Sequence, residues 1–204
     1  TSGGTVSNIT AMSYALARQL SGSEAGKGLN KVGLVNSLRA HGYSRVVLIG
    51  SAFCHYSMNK ALKLLGLGTE SFVPFDLDVK QLAASKAALQ VRIDQLRAEG
   101  ALVLAIIGVA GTTEAGKIDP LEPLAEVAEA NDIHFHVDGA FGGAFILSDK
   151  IAPKLRGIER ADTVTICGHK QLYLPLGISV CIFKAPDFVK LSEINTRYQA
   201  RKGS

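Results

Sequence analysis

The chain has 204 residues, 47% of them hydrophobic, enough to bury one sizeable core, and it holds no apolar run near the ~20 residues a membrane-crossing helix needs, so no membrane partner is expected. Its formal charge of +4 comes from 22 basic and 18 acidic side chains scattered along the sequence, which disfavours a nucleic-acid partner and suits an anionic small molecule. Cys54, Cys167 and Cys181 have neither disulfide-framework nor metal-ligand spacing, so they read as packing residues of a cytoplasmic protein without a metal site.

In chain order, Thr1-Ser2-Gly3-Gly4-Thr5 opens abruptly, with no preceding strand and no charged-then-apolar leader. The sequence therefore reads as an incomplete large domain, residues 1–204, without a secretory signal. A helix with the stripe Val6, Ile9, Met12 and Leu16 follows, then a glycine-rich loop over residues 21–30. Short continuous apolar runs at residues 46–49, 72–75, 102–107, 133–137, 163–167 and 179–183 read as strands covered on both faces.

Between these runs lie helical stripes: Met58, Ala61, Leu62 and Leu65, then Val79, Leu82, Leu89, Ile93 and Leu96, with Gly66 and Gly100 as stops. Asp119-Pro120 predicts a helix start, Asp119 as N-cap, leading into Leu121, Leu124, Val127 and Ala128. A further helix is expected before the strand at residues 163–167. The last two strands have no room for a crossover helix between them, so one is expected to run antiparallel. Residues 197–204 read as a flexible end. The expectation is an α/β fold, a three-layer sandwich with a mostly parallel sheet.

In such sheets ligands bind beyond the carboxyl ends of the strands, and four strand ends here carry polar groups. The run into Gly168-His169-Lys170 puts an amine on that rim, where it reads either as a surface lysine or as a nucleophile able to form a Schiff base with an aldehyde. Ser2-Gly3-Gly4-Thr5 before a helix is either a plain turn or a phosphate cradle of free N–H groups and hydroxyls. Asp138, at the end of a buried-type strand, is a turn former or a partner for a cation, and Gly139 and Ala140 let a planar ring approach. Gly111-Thr112-Thr113 adds hydroxyls, and His55 an imidazole, to the same rim.

Taken together, Thr-Ser-Gly-Gly-Thr-x-x-Asn at residues 1–8, His55, Gly-Thr-Thr at 111–113, His-Val-Asp-x-Ala at 136–140 and Gly-His-Lys at 168–170 resemble the group II pyridoxal-phosphate-dependent amino acid decarboxylases. The resemblance spans nearly the whole chain, every motif in family order. It implies the large domain of a fold-type I pyridoxal-phosphate enzyme, with Lys170 holding the cofactor aldehyde and Asp138 pairing with the pyridine nitrogen. It further implies His55 stacked on one ring face and Ala140 packed on the other. Gly4 and Thr5 would take the phosphate, with Ser2 and His169 as auxiliaries; Thr113 would orient the ring near Asp138. His169 contacts phosphate or substrate on this reading.

Gly139 departs from the alanine often found there in the family, an exchange expected to be harmless. The family's N-terminal segment, small C-terminal domain and mobile loop contributed across a homodimer are absent from these residues. Residues 168–177 most resemble glutamate- or aspartate-type decarboxylases, which implies an acidic amino acid substrate and either γ-aminobutyrate or β-alanine as product. Two other readings stand beside this carboxy-lyase: a carbon-carbon lyase or aminotransferase on the same scaffold, and a non-catalytic phosphate-binding module.

Overall fold

The computed structural model describes residues 1–21 and 29–185. Within them the chain runs α1 (Gly4–Gln19), α2 (Leu29–Ala40), β1 (Arg45–Gly50), α3 (Ser57–Leu64), β2 (Phe72–Pro74), α4 (Leu82–Ala98), β3 (Ala101–Val109), α5 (Leu121–Ala130), β4 (His134–Asp138), β5 (Thr163–Cys167) and β6 (Ser179–Phe183). The strands form one sheet in the order β2-β1-β3-β4-β5-β6. All pairings are parallel except β5 with β6, which is antiparallel as the short connection requires.

β3 is buried along its whole length because helices cover both faces of the sheet. On one face Val47, Ile49, Val103, Ile106, Phe135 and Val137 pack with Leu89, Ile93 and Leu96 of α4 and Leu124 and Ala128 of α5. On the other, Val46, Leu48, Leu102, Leu104, Ala105 and Ile107 meet Met12, Ala15 and Leu16 of α1 and Met58, Ala61 and Leu62 of α3. Each fully buried aliphatic side chain contributes roughly 1.5–3 kcal/mol. Leu104 and Ala105 are adjacent in sequence yet share a face, because the β1–β3 register shifts between Val47 and Leu48; β3 carries a bulge.

The periphery departs from the periodic reading at several points. Only three short 3-10 turns, Gly143–Leu147, Ala152–Leu155 and Ile158–Arg160, occupy the place of the helix expected before β5. Pro153 and Gly157 interrupt that stretch too often for a helix to propagate. Conversely, α2 was not expected; its helical course is broken by Gly33 (φ 77°, ψ 170°), and Ser37 is its one fully buried side chain.

Asp119 does not cap α5: its carboxylate accepts from Val109 N–H at 2.9 Å, and Pro120 precedes the first helical residue. Val6 and Val79 are exposed, so neither belongs to a buried stripe, and Val79 lies in a 3-10 turn ahead of α4. β2 is a half-buried edge, and on β6 Val180 and Ile182 are each 48% exposed, so neither outer strand is covered on both faces. The loop expected at residues 21–30 and the flexible end at 197–204 fall mainly or wholly outside the described residues; Leu29 and Asn30 begin α2.

Cys167 is buried and Cys54 and Cys181 are half-buried. Burial raises the thiols of Cys54 and Cys181, the latter to about 12, so neither is a thiolate near neutral pH, in keeping with packing roles. No described helix is long and apolar enough to cross a membrane, and the described residues hold no His/Cys/Asp/Glu cluster suited to a metal ion.

Candidate active site

Because β1, β3, β4 and β5 run parallel, their carboxyl ends lie along one rim, and α1 starts over it. Gly4, the first residue of α1, allows that approach: a Cβ there would lie 2.8 Å from Cys167 Sγ and 3.1 Å from Ala140 Cβ. The ends of β3, β4 and β5 are laced together by Ala110 N–H to the Asp138 carbonyl at 2.9 Å and Cys167 N–H to the Ala140 carbonyl at 3.3 Å. After β5, Gly168 N–H donates to the Ile178 carbonyl at 2.9 Å and Leu174 N–H to the Gly168 carbonyl at 3.0 Å. This closed loop holds the half-buried Lys170 against the rim.

Two cavities adjoin here. The larger, about 500 Å³, is bordered by Ser2, Gly4, Thr5 and His169. The narrower cleft is bordered by Thr113 and Asp138. His55, Ala140 and Lys170 border both. All nine residues singled out in the sequence therefore gather at one place, and Lys170 and Asp138 border a common cleft.

The donor set fits a flat molecule with a phosphate at one end and a ring nitrogen at the other. At the larger cavity, the first intrahelical bond of α1 is Ser7 N–H to the Gly3 carbonyl at 3.0 Å, and no side chain caps the helix. The N–H groups of Gly4, Thr5 and Val6 precede that bond and, at the positive end of a 16-residue helix, suit an anion. A Cβ on Gly3 would meet nothing within 4 Å, so its backbone is open to a ligand. At the cleft, Asp138 is 5% exposed and accepts from Ala140 N–H at 3.1 Å and Asn8 Nδ2 at 2.9 Å.

His55 accepts Ser57 N–H on Nδ1 at 3.2 Å, which leaves the proton of its neutral ring on Nε2, and it lies against Tyr56 with ring centroids 4.0 Å apart. Burial lowers its pKa, and the charges of Lys170 and Lys60 act in the same direction against the pull of Asp138. His169 reaches the Ile178 carbonyl at 3.3 Å through Nδ1. Thr113 is exposed on its loop, while its neighbour Thr112 is buried, its Oγ1 accepting Lys117 N–H at 3.1 Å.

Gly139 is less exchangeable than its size implies. A Cβ at this position would lie 2.9 Å from the Thr165 carbonyl oxygen and 3.0 Å from Gly143 Cα, so alanine would force backbone apart. Asn8 and His136, given no role from sequence, are fully buried beside the cleft. The signal for His136 was period-2 polarity in His134-Phe135-His136-Val137-Asp138, which puts three ionisable side chains on one face of a buried strand.

The pyridoxal-dependent decarboxylase conserved domain matches residues 29–202. An aspartate 1-decarboxylase of Aliivibrio fischeri is 41% identical over 203 residues, covering 100% of this chain and 37% of that protein. The acidic amino acid decarboxylase of Mus musculus is 38% identical over 184 residues, covering 89% of this chain and 31% of that protein. The crystal structure of mouse CSAD superposes with a TM-score of 0.83 at 29% identity, over 100% of this chain and 40% of that one. The chain thus spans well under half the length of these relatives. With its sheet, its rim of strand ends and the match over residues 29–202 in agreement, the chain belongs to the pyridoxal-dependent decarboxylase family and carries the fold-type I scaffold.

Proposed function

We propose that these residues form the cofactor-binding large domain of a pyridoxal-phosphate-dependent carboxy-lyase that acts on an acidic L-amino acid, aspartate to β-alanine or glutamate to γ-aminobutyrate. One observation carries the reading: Lys170 and Asp138 border the same cleft, next to a cavity headed by an uncapped helix N-terminus. The acidic substrate is supported by the names of two relatives, an aspartate 1-decarboxylase and an acidic amino acid decarboxylase.

When bound, pyridoxal phosphate supplies an electron sink for the bond that breaks as carbon dioxide leaves. The chain supplies position and charge. Gly4, Thr5, Ser2 and His169 hold the phosphate; Lys170 anchors the aldehyde carbon through its amine; His55 and Ala140 confine the ring. Asp138 keeps a proton at the ring nitrogen, since its carboxylate is already fixed by Asn8 and Ala140 N–H and each oxygen retains a lone pair. Thr113 borders the same cleft.

We further place the complete protein as a homodimer. Leu172, Leu174, Leu176 and Ile178, all exposed on the loop after Lys170, support this as an apolar surface beside the site. The test is to incubate the complete protein and pyridoxal phosphate with a panel of amino acids. Carbon dioxide together with β-alanine or γ-aminobutyrate is expected; amino transfer without gas would overturn the reading.

A further inference from the structure

A continuous file of hydrogen bonds crosses the buried interior from the far edge of β4 to Asp138, and the direction of every bond in it can be assigned. Asn8 Nδ2 lies 2.9 Å from Asp138 Oδ2 and 2.9 Å from Ser57 Oγ; Asn8 Oδ1 lies 3.1 Å from His136 Nε2. His136 Nδ1 and His134 Nε2 each lie 2.8 Å from the single hydroxyl of Thr163. His136, Thr163 and Asn8 are 0–1% exposed and His134 is 3% exposed.

The assignment starts at Asp138, whose carboxylate can only accept. The Asn8 amide must therefore turn its NH2 to Asp138, which leaves its carbonyl oxygen towards His136. That oxygen also only accepts, so His136 carries its proton on Nε2. With no acid touching its ring and burial pushing its pKa down to about 4, His136 is neutral and its Nδ1 is a bare acceptor. Thr163 has one hydrogen and must give it to His136 Nδ1, so its lone pair takes the Nε2 proton of His134.

An independent feature agrees at the far end. His134 Nδ1 is left without a proton by this order, and among the described residues it has no hydrogen-bond partner; Asp162 Oδ2, 3.9 Å away, accepts Phe135 N–H at 2.9 Å instead. Arg18 pairs with the other oxygen of Asp162 at 3.2 Å, and the His134 and Tyr14 rings meet in a T-shaped arrangement with centroids 5.9 Å apart. Burial lowers the pKa of His134 too, to about 4, against the pull of Asp162.

We propose that Asn8, His136, Thr163 and His134 form a polarised hydrogen-bonded chain, each member donating towards the next or held by it in one tautomer, that locks the Asp138 carboxylate in the orientation needed at the cofactor's ring nitrogen. Asn8, His136 and Thr163 are thus positioning residues. This rests on the functional reading above for the identity of the ligand, but the polarity belongs to the protein alone.

The test reads the tautomers directly in the complete protein without cofactor, by long-range proton–nitrogen correlation NMR with labelled histidine. Both His134 and His136 are expected as neutral Nε2–H tautomers at neutral pH. Thr163→Val should return His134 to a tautomer mixture while His136, still held by the Asn8 carbonyl, keeps its Nε2–H form, and Thr163→Ser should restore the single form of His134. His136 protonated on Nδ1, or a His134 tautomer unmoved in Thr163→Val, would overturn the proposal. Because this readout needs no turnover, it decides the polarity whether or not amine formation is found. In the cofactor-loaded protein, Asn8→Ala should lower kcat about tenfold and leave KM within about twofold; a change in KM alone would overturn the positioning role.

Discussion

The two faces of β4 do different work with alternate residues of one five-residue strand. Phe135 and Val137 point into the apolar layer under α4 and α5, where any side chain of matching shape would serve. His134, His136 and Asp138 point to the α1 side, where each polar atom needs a partner of defined sense. Substitutions on the first face should therefore be felt as stability, and those around the second as chemistry.

The largest separation is expected at Lys170→Ala, which should abolish the visible absorption of bound cofactor and reduce turnover to background while the urea midpoint of the cofactor-free protein stays unchanged. A retained band would break the comparison on the chemical side. Phe135→Ala should do the reverse, costing about 3–5 kcal/mol in equilibrium unfolding. An effect below about 1 kcal/mol there would mean that the α4–α5 layer is not the stabilising one.

Acid sharpens the contrast, because the polar face should weaken first. His134 and His136 are held neutral by burial, with pKa values pushed down to about 4, whereas the unfolded chain takes up these protons near pH 6.5. Their contribution is thus fully present above about pH 6.5 and is lost as pH falls towards 4, on the order of 3 kcal/mol for His136 alone. Denaturant midpoints measured across this window should fall, and Thr163→Val should alter the slope. A flat profile would show the rings to be accessible to protons.

Asp138→Asn should retain some cofactor and lose roughly a hundredfold in kcat, since an amide no longer holds a proton at the ring nitrogen. The smallest effect expected is at the hinge between the faces: Gly139→Ala should cost about 1–2 kcal/mol, because its Cβ would press on the Thr165 carbonyl. An unchanged midpoint would show that this backbone yields freely.

How much of this was legible in the sequence follows from range. Continuous apolar runs marked β1 and β3, since burial on both faces leaves little choice of side chain, and the short connection from Lys170 to Ser179 betrayed the antiparallel partner. The nine rim residues were legible together and not singly: each local motif also has a plain structural reading, and it was their joint order along the chain that carried the resemblance. Asn8 and His136 were not legible, since their meaning lies in a contact 128 residues apart in the chain. The three 3-10 turns before β5 were missed because Ile146, Leu147, Ile151 and Leu155 mimic helical spacing although Pro153 and Gly157 forbid it. Asp119 was misassigned because Asp-Pro is a good cap by sequence, and only the return of its loop onto Val109 offers a better donor.

The bulge in β3 has a consequence for how this chain tolerates changes in length. Loss of one residue from a buried strand ordinarily turns every later side chain inside out. Leu104 is supernumerary: without it, Val103 and Ala105 would already alternate, and Ile106, Ile107 and the turn at Gly111 would keep their present facing. Position 104 is thus the place in the central strand where a single-codon deletion would leave a cavity and not a scrambled protein.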